Sequence, residues 1–199
     1  MKSILLSLGI ILSICSHAYS QIIEDDFETN QFGWSEQSSK RGIALVKEGV
    51  LHMESKENHI TSTCYAPFDY AKPFTLKVEA LAKKIDDDKI FGILLDYEDD
   101  QNYLLFYICE GEARLEVCKE GNVIGRKFEA LKLSSGKKIG VEFEVEYNLN
   151  ELIYRVNGIK AMSYRRRLSK DEFLLGTSGI GFFAKGGQII DFDNLKIVQ

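Results

Sequence analysis

The run Val141-Glu142-Phe143-Glu144-Val145-Glu146-Tyr147 alternates apolar and acidic side chains without a break. Successive side chains of a β-strand point to opposite faces. The run can therefore bury one face and wet the other only as a strand; a helix would scatter the same residues around its circumference. Thr75-Leu76-Lys77-Val78-Glu79-Ala80 repeats the pattern, as do Ala113, Leu115 and Val117 against Arg114, Glu116 and Cys118. Strands with one wet face belong to antiparallel sheets. Residues 90–95 and 103–109 differ, being apolar on both phases. They read as central strands covered on both sides.

Turn signals separate these strands. They fall at Glu48-Gly49, Asp86-Asp87-Asp88, Glu98-Asp99-Asp100-Gln101, Glu120-Gly121-Asn122, Asn148-Leu149-Asn150, Asn157-Gly158 and Gly186-Gly187. Asn157-Gly158 is the strongest, because both residues tolerate positive φ in a two-residue hairpin. About a dozen strands result, with short helical turns fitting only at 128–134 and 168–175. With only 2 prolines to interrupt a ladder, the pattern predicts an all-β fold: a two-sheet antiparallel β-sandwich of jelly-roll type.

The first twenty residues stand apart. Lys2 precedes an apolar run over 4–14, and Ala18-Tyr19-Ser20 offers a signal-peptidase site, so residues 1–20 read as a secretory signal peptide cleaved before Gln21. Residues 21–199 then form one exported domain, periplasmic or extracellular. Lipoprotein anchoring through Cys15 is the alternative, although Ile14 is larger than the residue such a site prefers. No apolar run is long enough for a membrane-spanning helix. A formal net charge of −5 offers no attraction to nucleic acid or anionic lipid.

Cys64, Cys109 and Cys118 remain after the leader, an odd number. A hairpin turning at Gly111-Glu112 sets Cys109 against Arg114 and Cys118 against Leu105. The two cysteines would then lie on the order of 13 Å apart, beyond the ~7 Å Cα separation that a disulfide spans. That pair is expected to be unbonded. The sequence leaves Cys64 open, and free buried thiols are the expected state.

Several segments together resemble the concanavalin A-like lectin/glucanase superfamily, in its laminin-G-like jelly-roll branch. They are Asp25-Asp26-Phe27 with Phe32-Gly33-Trp34; 91–97 followed by Asp99-Asp100-Gln101-Asn102-Tyr103; Ile153-Tyr154-Arg155-Val156-Asn157-Gly158; and Gly179-Ile180-Gly181-Phe182 with Phe192-Asp193-Asn194-Leu195. The resemblance implies a sandwich whose first and last strands are neighbours. It implies no single function, since the superfamily holds lectins, glycosidases, sugar-binding modules and protein-interaction modules.

Four groups of residues could carry chemistry. Glu142, Glu144 and Glu146 resemble the two Glu flanking an Asp on one strand of laminarinase-type glycosidases, with Glu144 standing where that family has Asp. A retaining mechanism needs its two carboxyls about 5–5.5 Å apart. The plain alternative is a solvated strand face. Asp25, Asp26, Asp193 and Asn194, with Asp191, could converge on a structural calcium if the terminal strands pair, calcium taking six to eight oxygen ligands. A β-bulge at Asp193-Asn194, where the apolar phase shifts, explains the same polar pair. Trp34, Tyr97 and Tyr103 head the candidate stacking platforms for a sugar, followed by Tyr65, Tyr70, Tyr107 and Tyr154. Arg165-Arg166-Arg167 with Lys170 reads as a solvated loop, or a site for an acidic glycan. The leading expectation is a non-catalytic exported module binding a carbohydrate or another cell-envelope component. A glycoside hydrolase and a protein-interaction or envelope-structural domain are the alternatives. No cofactor is expected beyond that calcium.

Overall fold

The computed structural model describes residues 20–56, 58–70, 72–83, 90–131, 139–165 and 179–199. Among them are fifteen strands and no helix, somewhat more strands than the alternation predicts. In chain order they are β1 (Ile22–Asp25), β2 (Gln37–Ser38), β3 (Gly42–Lys47), β4 (Val50–Ser55), β5 (Ile60–Cys64), β6 (Phe74–Ala82), β7 (Ile90–Asp99) and β8 (Asn102–Cys109), followed by β9 (Glu112–Lys119), β10 (Asn122–Ala130), β11 (Ile139–Tyr147), β12 (Glu151–Val156), β13 (Ile159–Arg165), β14 (Gly179–Lys185) and β15 (Ile189–Val198). One sheet has nine strands in the order β13-β12-β11-β6-β15-β4-β3-β2, with β1 also on β15. The other has six, in the order β10-β9-β8-β7-β14-β5. Every pairing is antiparallel. The two-sheet sandwich expected from the alternation is what forms.

Alternation decides what fills the middle. On β11, Val141, Phe143, Val145 and Tyr147 are buried and the three glutamates between them are not. They and Tyr154 of β12 meet inward residues of the other sheet: Phe91 lies 5.7 Å from Phe143 and Phe106 lies 4.8 Å from Tyr154, ring centre to ring centre. A second aromatic group, Trp34, Phe182 and Phe192, stacks at 5.0 and 4.3 Å. The terminal strands are neighbours, as the resemblance implies: Ile22 faces Val198 and Asp25 faces Leu195. The predicted bulge in β15 is also present. Its register against β6 breaks between Asp193 and Lys196, with Asn194 at φ 53°.

Four hairpins close through two residues that both have positive φ: Glu48-Gly49, Glu110-Gly111, Glu120-Gly121 and Asn157-Gly158. These are type I′ turns, whose twist matches the flanking strands. One expectation is corrected here. The β8–β9 turn is Glu110-Gly111 and not Gly111-Glu112, because glycine takes the second central position. Cys109 therefore faces Glu112 and Cys118 faces Tyr103. The two thiols stay far apart; Cys64, Cys109 and Cys118 are all buried and none is in a disulfide. Residues 128–130 continue β10, so no helical turn starts at Phe128. Residues 1–19 of the expected leader at 1–20, the expected Asp86-Asp87-Asp88 turn, the expected 168–175 helical turn, and Arg166, Arg167 and Lys170 lie outside the described residues.

Candidate functional site

Both phases of β7 and β8 are buried, which is the exception that matters here. Phe91, Ile93 and Leu95 of β7 and Leu104, Phe106 and Ile108 of β8 face the sandwich interior. Leu94, Leu105, Tyr107 and Cys109 point the opposite way and form a second apolar cluster. This cluster lies on the outer face of the six-stranded sheet. Ile90, Tyr97, Tyr103 and Phe183 pack around it, partly exposed.

Two glycines shape this face. Gly92 sits between Phe183 on β14 and Tyr107 on β8 in direct register. A Cβ there would run into the Phe106 carbonyl and Tyr107, so the close approach of β7 and β8 requires glycine. Gly181 stands opposite Leu94, and a Cβ on it would come within 2.6 Å of the Thr63 methyl. Missing side chains in two adjacent rows, with aromatic rings on either side, leave a hollow of about 180 Å³ floored by Leu94 and Leu105.

Polar groups rim the hollow. The Tyr97 hydroxyl donates to Asp100 Oδ1 at 2.9 Å and the Tyr103 hydroxyl to Glu116 Oε1 at 2.9 Å. Burial, then the hydrogen bond and charge of Asp100, push the Tyr97 phenol up to about 12. Burial, then the hydrogen bond and charge of Glu116, raise the Tyr103 phenol as well. Both phenols are therefore neutral donors at physiological pH. His59 lies flat on Phe183, 5.6 Å between ring centres and 11° from parallel. An apolar floor, aromatic walls and a few oriented polar groups are what a small-molecule site is made of.

Tyr97 and Tyr103, two of the candidate platforms, line the same hollow, and Tyr107 joins them. Trp34 is not with them, which corrects its placement among the platforms. It is 2% exposed, stacked on Phe182 in the core, with its indole N–H on Asp25. It precedes β2 in an irregular segment, where no alternation indicates facing. Tyr70 and Tyr154 are core residues, and Tyr65 is 73% exposed and is not among the residues that line the hollow. Phe183, His59 and Glu116 were not singled out from the sequence. The signal available in the sequence was that residues 90–95 and 103–109 are apolar on both phases.

The three glutamates of β11 lie on the outer face of the nine-stranded sheet. Glu144 faces Lys77 on β6 and Arg155 on β12 in register. Both reach it, at 2.7 Å each, and Arg155 also holds Glu146 at 2.8 Å. Glu144 and Glu146 are thereby gathered into a cross-strand ion-pair network. Glu142 belongs to a different neighbourhood. It faces Glu79, which faces Asp193, so three carboxylates form a row across β11, β6 and β15. They border a second hollow of about 380 Å³, beside which His52 Nδ1 lies 2.6 Å from Asp191 Oδ1. Four positions of strand, about 13 Å, separate Glu142 from Glu146 at the backbone.

Asp25, Asp26 and Asn194 line one hollow at the β1–β15 junction. Asp193 does not join them; the bulge sends it to the Glu79 side. Asp25 is 1% exposed and accepts from the Phe27 amide at 3.0 Å and the Trp34 indole at 2.8 Å. Among the described residues, no three His, Cys, Asp or Glu are placed to hold a metal ion together.

No protein-family model and no curated protein matches the chain. Solved structures do. A protein of unknown function with a galectin-like fold from Bacillus subtilis aligns with TM-score 0.63 at 11% identity, over 88% of this chain and 94% of that one. The carbohydrate-binding module CBM66 from Bacillus subtilis aligns with TM-score 0.58 at 12% identity, over 84% and 96%. The catalytic domain of an endo-1,3-beta-glucanase (laminarinase) from Thermotoga petrophila aligns with TM-score 0.61 at 12% identity, over 91% and 98%. These matches show the fold: the chain is a sandwich of the concanavalin A-like jelly-roll type.

Proposed function

We propose that this chain is an exported, non-catalytic carbohydrate-binding module whose site is the aromatic hollow on the outer face of the six-stranded sheet. One observation carries the reading: a sheet face that could be polar instead holds Tyr97, Tyr103, Tyr107 and Phe183 around an apolar floor, with two carboxylates beside them. A pyranose presents one face of C–H bonds and a rim of hydroxyls. Aromatic faces suit the first, and Asp100 and Glu116 can accept from the second. A structural neighbour that is itself a carbohydrate-binding module supports the same class. Export rests on the leader that the sequence of residues 1–20 leads us to expect.

The test is a glycan array on residues 21–199, followed by titration calorimetry on each hit. Tyr103→Ala and Phe183→Ala should each weaken binding about tenfold or more, the loss expected for a stacking ring, with the melting transition nearly unmoved. No binding to any glycan would overturn the reading. Glycan turnover that is lost in Glu142→Gln would overturn its non-catalytic part.

A further inference from the structure

The aromatic hollow is short in both directions. Across the strands it lies between Phe183 and Tyr107, which flank Gly92 in register. Two strand spacings separate them, about 10 Å at the backbone, so one flat ring fits between. Along β7 the hollow runs from Ile90 over Gly92 and Leu94 to Tyr97. Leu94 and Tyr97 would face opposite ways in a regular strand. The register against β14 breaks beside Gly179 and Gly181, with Asp96 at φ 49°, and this shift of phase brings Tyr97 to the outer face. Tyr97 and Tyr103 therefore stand at one end and Ile90 at the other. The floor between them is two outward positions long, about 7 Å.

The walls are anchored from outside. Asp100 holds the Tyr97 hydroxyl and Glu116 that of Tyr103, both at 2.9 Å, and His59 lies flat on Phe183. Walls tied in this way are ordered before a ligand arrives, and they resist swinging aside. The enclosed 180 Å³ equals about six waters and falls short of the ~300 Å³ at which sites for drug-sized ligands begin.

We infer, on the footing of the carbohydrate reading, that the hollow takes the terminal unit of a glycan and rejects units inside a chain. An internal unit carries linkages on two sides of its ring, and among the described residues both ends of the floor are walled. A terminal unit carries one linkage, which leaves through the mouth, away from the sheet.

The probes are linear gluco-, manno-, galacto- and xylo-oligosaccharides of two to six units, each with its polysaccharide. In any series that binds, calorimetry should give a Kd constant within about twofold from two units to six, with one protein per chain. Cutting the polysaccharide into shorter chains should raise its capacity per mass in proportion to the ends created. Tyr97→Ala removes an end wall and should raise capacity for the uncut polymer. Asp100→Ala, at an exposed position, frees the same ring without touching the core and should act in the same direction. An affinity that climbs about tenfold or more with length, or several proteins seated along one chain, overturns the inference. So does capacity that cutting leaves unchanged, or failure of both variants to admit the uncut polymer. In each of these cases the carbohydrate reading stands if Phe183→Ala abolishes binding. Binding that survives Phe183→Ala lies elsewhere and overturns both, as does the absence of binding to any glycan.

Discussion

The Trp34 indole N–H donates to Asp25 Oδ2 at 2.8 Å, and both side chains are sealed from solvent. The Phe27 amide, whose residue has φ 55°, donates to Oδ1 of the same carboxylate. One acid thus ties the end of β1 to the irregular segment that follows it. Asp25→Ala would leave two buried donors without an acceptor. It is expected to cost about 2–4 kcal/mol, read as a lowered midpoint in urea denaturation with red-shifted tryptophan emission. Unchanged stability would show that this carboxylate does not hold the segment.

A row of like charges should yield the opposite result. Glu142, Glu79 and Asp193 stand directly opposite one another across three strands. Cross-strand like charges are destabilising by a few tenths to about 1 kcal/mol. Glu79→Gln removes the middle charge and keeps an acceptor for the Asn194 amide, 3.3 Å away. The variant is expected to be more stable by about 0.5 kcal/mol in low salt, with the gain shrinking as salt screens the row. Parallel melts at two ionic strengths measure it.

Tyr154 offers a core test. It is fully buried, and its hydroxyl has no hydrogen-bond partner among the described residues. Burial alone pushes its phenol well above the ordinary range. Tyr154→Phe keeps the ring stacked between Phe143 and Phe106 and removes the unsatisfied group. A gain of about 1–2 kcal/mol is expected, with the denaturant slope unchanged. A loss would mean that the hydroxyl is satisfied.

Alkali should unfold the protein early. The Cys64 thiol is pushed up to about 12, from an ordinary 9.0, by burial and then by the Asp25 charge. The Tyr97 phenol is likewise up to about 12. These groups keep their protons in the folded chain while the unfolded chain sheds them, so stability falls as pH rises through that interval. Denaturation midpoints taken from about pH 8 to about pH 11 should decline steadily. In the folded state Cys64 should resist thiol reagents until unfolding exposes it.

How much of this was legible beforehand varies by residue. Val145 and Glu146 carry their facing in the alternation itself, so β11 and its sheet could be read from a window of seven residues. Asn157-Gly158 announces its turn. Glu110-Gly111 does so only through glycine, and reading the turn one residue late displaced the β8–β9 register by two. Tyr103 could be placed on a strand but not on a site. Its neighbours depend on β14 inserting between β5 and β7, a crossover that brings Phe183 to Gly92 from far along the chain. Trp34 was unreadable because an irregular segment has no phase. Glu142 and Glu146 lie on one face of one strand, yet the residues opposite them on β6 and β12 send them to different neighbourhoods.

The pairing of β1 with β15 runs out to the last described residues, where the Gln21 and Gln199 amides and carbonyls exchange hydrogen bonds at 2.9 Å. The polypeptide therefore enters and leaves the sandwich at one point. A load pulling residues 21 and 199 apart would act on one hydrogen-bonded pair at a time, peeling β1 from β15 like a zip. The Asp25–Trp34 clasp sits where that peeling would reach the core. Such a load should meet little resistance up to Asp25 and more beyond it, while the aromatic hollow lies on the other sheet.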